Sequence, residues 1–123
     1  MHSLTEPELG IMQALWEAGK EVPRMYIQNR LSHLNWTAST FNTYLNRLQA
    51  KRFLAGELKG QTSYYRPVIT MESYQANESS SILARLFGGS LKSFLLSLSD
   101  TDTIDSDALE DIQTFLDQMK NRA

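Results

Sequence analysis

The sequence predicts a mainly α-helical protein in which three helices and a β-hairpin precede a second helical region. Apolar residues recur every three or four positions over most of the chain, which is typical of amphipathic helices. A Gly-Gln pair near residue 60 separates two short runs of apolar and aromatic residues, which predicts the hairpin. The chain of 123 residues is long enough for one core of ordinary size, or for a small domain with an extension.

The first helix is predicted to begin at Thr5-Glu6-Pro7-Glu8 and to end near Ala18-Gly19. Thr5 can cap the helix, Pro7 suits its first turn, and Glu8 completes a capping box. The apolar residues that follow share one face of a helix: Leu9, Met12, Leu15 and Trp16.

Two further helices are predicted after the extended link Val22-Pro23. The second should have about two to three turns, from Met25 to Leu34, by its apolar spacing. The third should run from Thr37 or Ala38 to about Lys51. Residues expected on its buried side are Phe41, Tyr44 or Leu45, and Leu48.

A β-hairpin is predicted from Phe53 to Val68, with its turn at Gly60-Gln61. Three helices followed by a hairpin is the order of a winged helix-turn-helix. We therefore expect residues 1–70 to form a winged-helix domain.

Residues 71–123 are predicted to form a helical dimerisation domain. Its short helices carry more apolar surface than they can bury by themselves, which favours a two-fold homodimer. The alternative is that these helices fold back and complete the N-terminal core. The residues expected at the dimer interface are Leu86, Leu91, Phe94, Leu95, Leu98, Leu109, Ile112, Leu116 and Met119.

The predicted outer face of the third helix is polar and contains no acidic residue. Ser, Thr and Asn are weak helix formers, whereas Glu and Lys are the usual residues on a solvated face. Small polar side chains and Arg suit a helix that lies close to base edges and phosphates. The residues predicted to face DNA are Ser39, Thr40, Asn42, Thr43, Asn46 and Arg47, with Lys51 at the end of the helix.

The charge distribution also favours a nucleic-acid partner for the first part of the chain. Net charge is -2 overall, but residues 1–67 carry eight Lys or Arg against five acids, and residues 68–123 carry four against nine. Only Glu57 interrupts seven positive residues between Arg24 and Arg66. The difference in sign predicts that the first part faces DNA and the second does something else.

Composition argues against several other classes of protein. The chain has no cysteine, so we expect no disulfide and no Cys-ligated metal, and a cytoplasmic location suits this composition. No apolar run is long enough for a membrane span, and we expect no membrane partner. We found no phosphate-binding glycine loop and no nucleophile motif, and we predict no cofactor, no metal and no enzymatic activity.

Four stretches resemble the penicillinase repressor family of BlaI/MecI type, whose relatives include copper-responsive repressors. The stretches are LTEPELGIMQALWEAG (4–19), STFNTYLNRLQAKRFL (39–54), YYRPVI (64–69) and LFGGSLKSFLLSL (86–98). The resemblance covers nearly the whole chain. It implies a homodimeric transcriptional repressor that binds a pseudo-palindromic operator, with one recognition helix in the major groove of each half-site.

The resemblance also implies roles for individual residues. Thr40 and Thr43 match family positions that contact DNA, and Arg47 matches a basic position near the phosphates. Tyr65 and Arg66 belong, with Tyr64, to the matching strand of the wing, where a contact with the DNA backbone is implied.

This chain departs from the family pattern at several places. Ser39 and Asn42 stand where family members usually carry Lys or Arg, which predicts weaker phosphate attraction. The paired cysteines of the copper-responsive branch are absent. The antibiotic-responsive branch is inactivated by a protease at an Asn-Phe bond, and the matching pair here is Ser97-Leu98. The departures at Ser39 and Asn42 keep open an alternative function, a winged-helix module that binds a protein instead of DNA.

Overall fold

The computed structural model describes residues 3–122, which form two compact units that meet in sequence at Glu78 and Ser79. The architecture is mainly helical with one small antiparallel sheet, which confirms the predicted fold class. The elements in chain order are α1 (Glu6–Ala18), β1 (Val22–Pro23), α2 (Arg24–Arg30), a 3-10 helix (Ser32–Leu34), α3 (Ala38–Ala50), β2 (Leu54–Lys59), β3 (Thr62–Pro67), α4 (Met71–Phe87), α5 (Leu91–Ser99) and α6 (Ser106–Arg122).

Helix α1 begins and ends as predicted. The Glu8 carboxylate accepts hydrogen bonds from the backbone N–H and the hydroxyl of Thr5, both at 2.9 Å. Met12 and Leu15 of the predicted stripe are fully buried, and Trp16 is half-buried. The Trp16 indole N–H donates to the backbone carbonyl of Ile69 at 3.0 Å, so this ring anchors the chain that follows the hairpin.

Helix α2 is shorter than predicted. It ends at Arg30, and the residues from Ser32 to Leu34 form a separate 3-10 turn that closes at Asn35, whose φ is 55°. Leu34, the last residue of the predicted stripe, is 43% exposed, so it contributes little buried contact that would extend the helix. The prediction of one helix from Met25 to Leu34 was therefore wrong, because a local turn competes with the helical pattern.

The hairpin forms at the predicted place and gains a third strand. Strands β2 and β3 pair antiparallel from Leu54 opposite Pro67 to Lys59 opposite Thr62. Gly60 occupies the turn with φ 66°, a left-handed conformation that suits glycine. Strand β1, predicted only as an extended link, pairs with the other edge of β3, which gives the strand order β1-β3-β2.

The hydrophobic core of the first unit lies between α1, α2, α3 and the sheet, and it extends into α4. The Tyr74 ring on α4 is 8% exposed and lies 5.8 Å from the Phe53 ring and 5.9 Å from the Trp16 ring. Its hydroxyl accepts a hydrogen bond from the backbone N–H of Leu4 at 3.0 Å. These contacts explain why the compact unit extends to Glu78 instead of ending near residue 70.

The second unit consists of the last turns of α4 together with α5 and α6. The rings of Phe87 and Phe94 meet edge to face, 5.3 Å apart. None of the residues 79–122 is fully buried. A groove of about 820 Å³ lies between α5 and α6, and apolar side chains from both helices line it. This unit therefore exposes a large apolar surface for its size.

Within residues 3–122, no single helix is long and apolar enough to cross a membrane, and α4 and α5 reach that composition only as a pair bent by 83°. The same residues contain no group of three or more His, Asp or Glu that could hold a metal ion.

Replacing Phe53 with alanine should strongly destabilise the first unit. The side chain is 1% exposed and contacts Tyr74 across the core, so truncation leaves a cavity. We expect the free energy of unfolding to fall by about 3–5 kcal/mol, measured by urea denaturation. The control is Leu58→Ala on the exposed edge of the hairpin, where the side chain is 68% exposed. A decrease for Phe53→Ala as small as that of the control would contradict this account of the core.

Candidate nucleic-acid interface

The orientation of α3 is set by three buried residues. Phe41, Leu45 and Leu48 are at most 3% exposed, and they form the single apolar stripe of the helix, as predicted. The helix begins where the Thr37 hydroxyl accepts the Thr40 backbone N–H at 3.1 Å. Because the successive residues of a helix rotate by about 100°, burial of this stripe determines which residues face outward.

The opposite face of α3 presents five of the predicted residues to solvent: Ser39, Asn42, Thr43, Asn46 and Arg47. The Thr43 hydroxyl donates to the Ser39 carbonyl at 3.0 Å, which leaves its oxygen free to accept a bond. Thr40 is half-buried, and its hydroxyl lies 3.0 Å from that of Thr37. The face is uncharged except for Arg47, and its side chains can both donate and accept hydrogen bonds.

Aromatic rings support the cations next to this face. The Arg47 guanidinium lies 5.8 Å from the centre of the Tyr44 ring, which itself packs 5.0 Å from Trp36. The Arg24 guanidinium at the start of α2 lies 5.1 Å from the Phe41 ring. Arg24 therefore packs against Phe41, which belongs to the buried stripe of α3 and not to its outer face.

Lys51 lies at the end of α3 but turns toward the interior of the unit. Its ammonium is 2.9 Å from both carboxylate oxygens of Glu8, and the side chains of Lys51 and Glu8 are 27% and 0% exposed. Lys51 is thus engaged by a buried partner, unlike Arg47 on the outer face. Sequence reasoning placed it toward DNA because the partner lies 43 residues away on another helix.

The hydrogen bonds of Glu8 outweigh the effect of its burial. Burial alone would raise the pKa of the Glu8 carboxyl, but hydrogen bonds from Lys51 and Thr5 and the charge of Lys51 lower it below its ordinary value of 4.5. Glu8 therefore stays ionised in the folded protein near neutral pH.

The chain leaves α3 through a Schellman motif. The Phe53 N–H donates to the Leu48 carbonyl at 2.9 Å, the Arg52 N–H donates to the Gln49 carbonyl at 3.0 Å, and Arg52 has φ 64°. Phe53 and Leu48 are both buried, which supplies the apolar contact that accompanies this motif. The last turn of α3 is thus held both by backbone bonds and by the pair of Lys51 and Glu8.

Of the predicted residues on the hairpin, Arg66 is exposed and Tyr65 is not. The Tyr65 ring is 6% exposed, and it fits only because Gly56 opposite has no side chain: a Cβ there would lie 2.9 Å from the ring. The buried position of Tyr65 removes its side chain from the surface predicted to meet DNA. Tyr64 points to the other face of the strand, where the Lys59 ammonium lies 5.4 Å from its ring and pairs with Glu21.

Three helices, a hairpin wing and an acid-free polar face on the third helix define a winged-helix transcription regulator. The chain belongs to the penicillinase repressor family, whose family model matches residues 4–118. Both the resemblance predicted from the sequence and the absence of enzymatic function are thereby confirmed. The protein is a transcriptional repressor that binds DNA.

Two known proteins illustrate the relationship. The penicillinase repressor of Bacillus licheniformis is 26% identical over 119 residues, which cover 97% of this chain and 93% of that protein. The solved structure of H. salinarum RosR aligns over 99% of this chain and 98% of its own, with a TM-score of 0.52 and 17% identity. The second likeness is one of fold alone.

Removing the charge of Glu8 should make stability less dependent on pH. Because the folded-state pKa of Glu8 is lowered, its contribution is fully present above about 4.5 and disappears as the pH falls through the lowered pKa. Glu8→Gln should cost about 2 kcal/mol near neutral pH and progressively less in acid, as measured by urea unfolding across that range.

The matched control is Glu17→Gln, which changes a carboxylate on the exposed side of the same helix, paired with Arg30. We expect a small effect that varies little with pH. A constant difference between wild type and Glu8→Gln at every pH would contradict the role given to the ionised carboxylate.

Proposed function

We propose that two copies of this chain bind a pseudo-palindromic operator, with α3 of each copy in the major groove of one half-site. The observation that carries this proposal is the exposed polar face of α3, which contains one cation and no acid. The major groove accommodates an α-helix and displays a distinct pattern of donors and acceptors for each base pair. A DNA partner also favours a cytoplasmic location.

The exposed side chains of α3 suit different parts of the operator. Asn42 and Asn46 can pair with adenine, and Ser39 and Thr43 can bond base edges or phosphates. Arg47 can bind guanine or neutralise a phosphate, and its stacking on Tyr44 restricts its side chain before DNA arrives. On the hairpin, the exposed Arg66 is the proposed contact with the DNA backbone.

The proposed dimer interface is the apolar surface of the second unit. Leu91, Leu109 and Leu116 line the groove between α5 and α6, and each is 40% or more exposed in the single chain. A monomeric protein rarely exposes a continuous apolar surface of this kind, and a second copy would cover it on both chains at once. The full proposed set is Leu86, Leu91, Phe94, Leu95, Leu98, Leu109, Ile112, Leu116 and Met119.

Dimerisation also matters for affinity. Each recognition helix offers a short row of contacts, and joining two half-sites makes the second contact intramolecular. The absence of cations at Ser39 and Asn42 increases this dependence, because fewer phosphates are neutralised by each copy.

Arg47→Ala and Thr43→Ala should affect DNA binding in different ways. Removal of the Arg47 side chain should weaken binding to all sequences and flatten the salt dependence by about 0.9 for each phosphate that is no longer neutralised. Removal of the Thr43 hydroxyl should reduce the preference for the operator by about tenfold and leave the salt dependence unchanged. Fluorescence anisotropy with DNA from the chain's own promoter region, at two salt concentrations, measures both effects.

Arg122→Ala, which removes the same charge at the end of α6, is the matched control for Arg47→Ala. If the wild-type chain binds promoter DNA and unrelated DNA with equally weak affinity, the proposal is overturned. Tight binding of a protein partner that depends on Thr43 would then favour the interaction-module function.

A charge in the proposed dimer interface should separate the two copies. Leu116→Glu places a carboxylate in the apolar groove, so we expect a monomer in sedimentation experiments and a decrease in operator affinity of about 100-fold. Thr114→Glu, on the other face of α6, is the control and should remain dimeric. A wild-type chain that stays monomeric at micromolar concentration would refute the dimer.

A further inference from the structure

We infer that Glu8 and Lys51 form a positioning pair that sets the end of α3 against the operator, and that Lys51 does not itself neutralise a phosphate. This inference rests on the function proposed above, in which α3 reads the DNA. It assigns to Lys51 an indirect role in recognition, through a residue of another helix.

The geometry commits the Lys51 ammonium to the interior. Two of its three N–H groups are used by the two Glu8 oxygens at 2.9 Å, and the Glu8 side chain is completely buried. The hydroxyl and the N–H of Thr5 complete the bonding of Oε1, and no buried side-chain polar atom within residues 3–122 lacks a partner. The Glu8 carboxylate is therefore fully satisfied by Lys51 and Thr5 in the free protein.

Turning Lys51 outward to a phosphate would leave the Glu8 carboxylate buried with Thr5 as its only partner. Leaving a buried charge unpaired costs far more free energy than one solvent-exposed ionic contact contributes. Lys51 should therefore keep its partner when DNA binds, and it should release no counterion from the DNA.

The pair lies at the end of α3 that carries the largest of the side chains proposed to contact base edges. Lys51 follows the last turn of α3, and its backbone N–H donates to the carbonyl of Arg47, one turn earlier, at 2.9 Å. Glu8 belongs to the first turns of α1, a helix that is itself anchored in the core. A shift of this end of α3 would move Asn46 and Arg47, and hydrogen bonds to base edges weaken steeply when their geometry is disturbed.

The test compares Lys51→Met, Glu8→Gln and the double variant in the full chain. Operator and unrelated DNA of equal length are titrated by anisotropy between about 50 and 200 mM salt. We expect operator preference to fall about tenfold in each single variant and no further in the double variant, and the salt dependence to match that of the wild type.

Three further variants calibrate the result. Arg47→Met is the reference for a direct contact and should lower the salt slope by about 0.9. Glu17→Gln makes the same change as Glu8→Gln at an exposed ion pair of α1 and should bind operator like the wild type. Lys51→Arg keeps a cation that can reach Glu8 and should restore operator preference. Circular dichroism identifies the variants that remain folded. If Glu8→Gln does not fold, operator binding by Lys51→Met and Lys51→Arg tests the inference.

A lower salt slope for Lys51→Met, with normal binding by folded Glu8→Gln, would overturn the inference and make Lys51 a phosphate contact. Normal operator preference in Lys51→Met would overturn it as well. Salt-insensitive or absent DNA binding by the wild-type chain would instead refute the proposed function, and the inference with it.

Discussion

The buried carboxylate of Glu8 constrains how α1 and α3 are arranged in the first unit. Glu8 lies in the first turn of α1, where the helix dipole favours an acid, and Lys51 follows the last turn of α3, where it favours a base. This one ion pair thus places an acid at the start of α1 and a base at the end of α3. The same carboxylate also accepts the capping-box hydrogen bond from Thr5. Because the carboxylate is completely buried, the helices cannot slide past each other without leaving it unpaired.

The recognition surface follows from this constraint and from ordinary core packing. Burial of Phe41, Leu45 and Leu48 determines the rotation of α3, the Glu8–Lys51 pair holds its last turn, and the polar residues that remain outside need no special stabilisation. Core packing therefore does not restrict these residues, and the proposed interaction with DNA can determine their identity. The absence of acids among them is consistent with that use, since an acid would repel the phosphates.

The second unit differs from the first in both composition and burial. Its residues carry an excess of acids, which makes it unsuited to a DNA surface, and its apolar side chains remain partly exposed in the single chain. Both features suit a unit that joins two copies of the chain, as proposed above.

Local signals made much of the fold predictable. The Thr5-to-Glu8 capping box, the stripe of α3 and the turn at Gly60 each lie within a few consecutive residues, and the structure confirms all three. Features that depend on distant partners could not be predicted in this way. The pairing of β1 with β3 and the burial of Tyr74 both require contacts across many residues.

The same distinction applies to the candidate site. The outward residues of α3 could be predicted, because helical periodicity assigns them once the buried stripe is known. The interior position of Lys51 could not, since its partner is 43 residues away, and neither could that of Tyr65, which depends on the missing side chain of Gly56. The packing of Arg24 on the Phe41 ring could not be predicted either, because only the folded chain brings the two residues together.

The position of α3 on DNA can be mapped by site-directed cleavage. The chain has no cysteine, so Asn46→Cys provides a unique site for a metal chelate that cleaves nearby DNA. We predict two clusters of cuts in the major groove of the promoter DNA, related by two-fold symmetry and separated by about 10 base pairs or a multiple of that spacing. Scattered cuts, or cuts matching those from the same probe at Gln113→Cys on α6, would contradict the assignment of α3 as the helix that reads the operator.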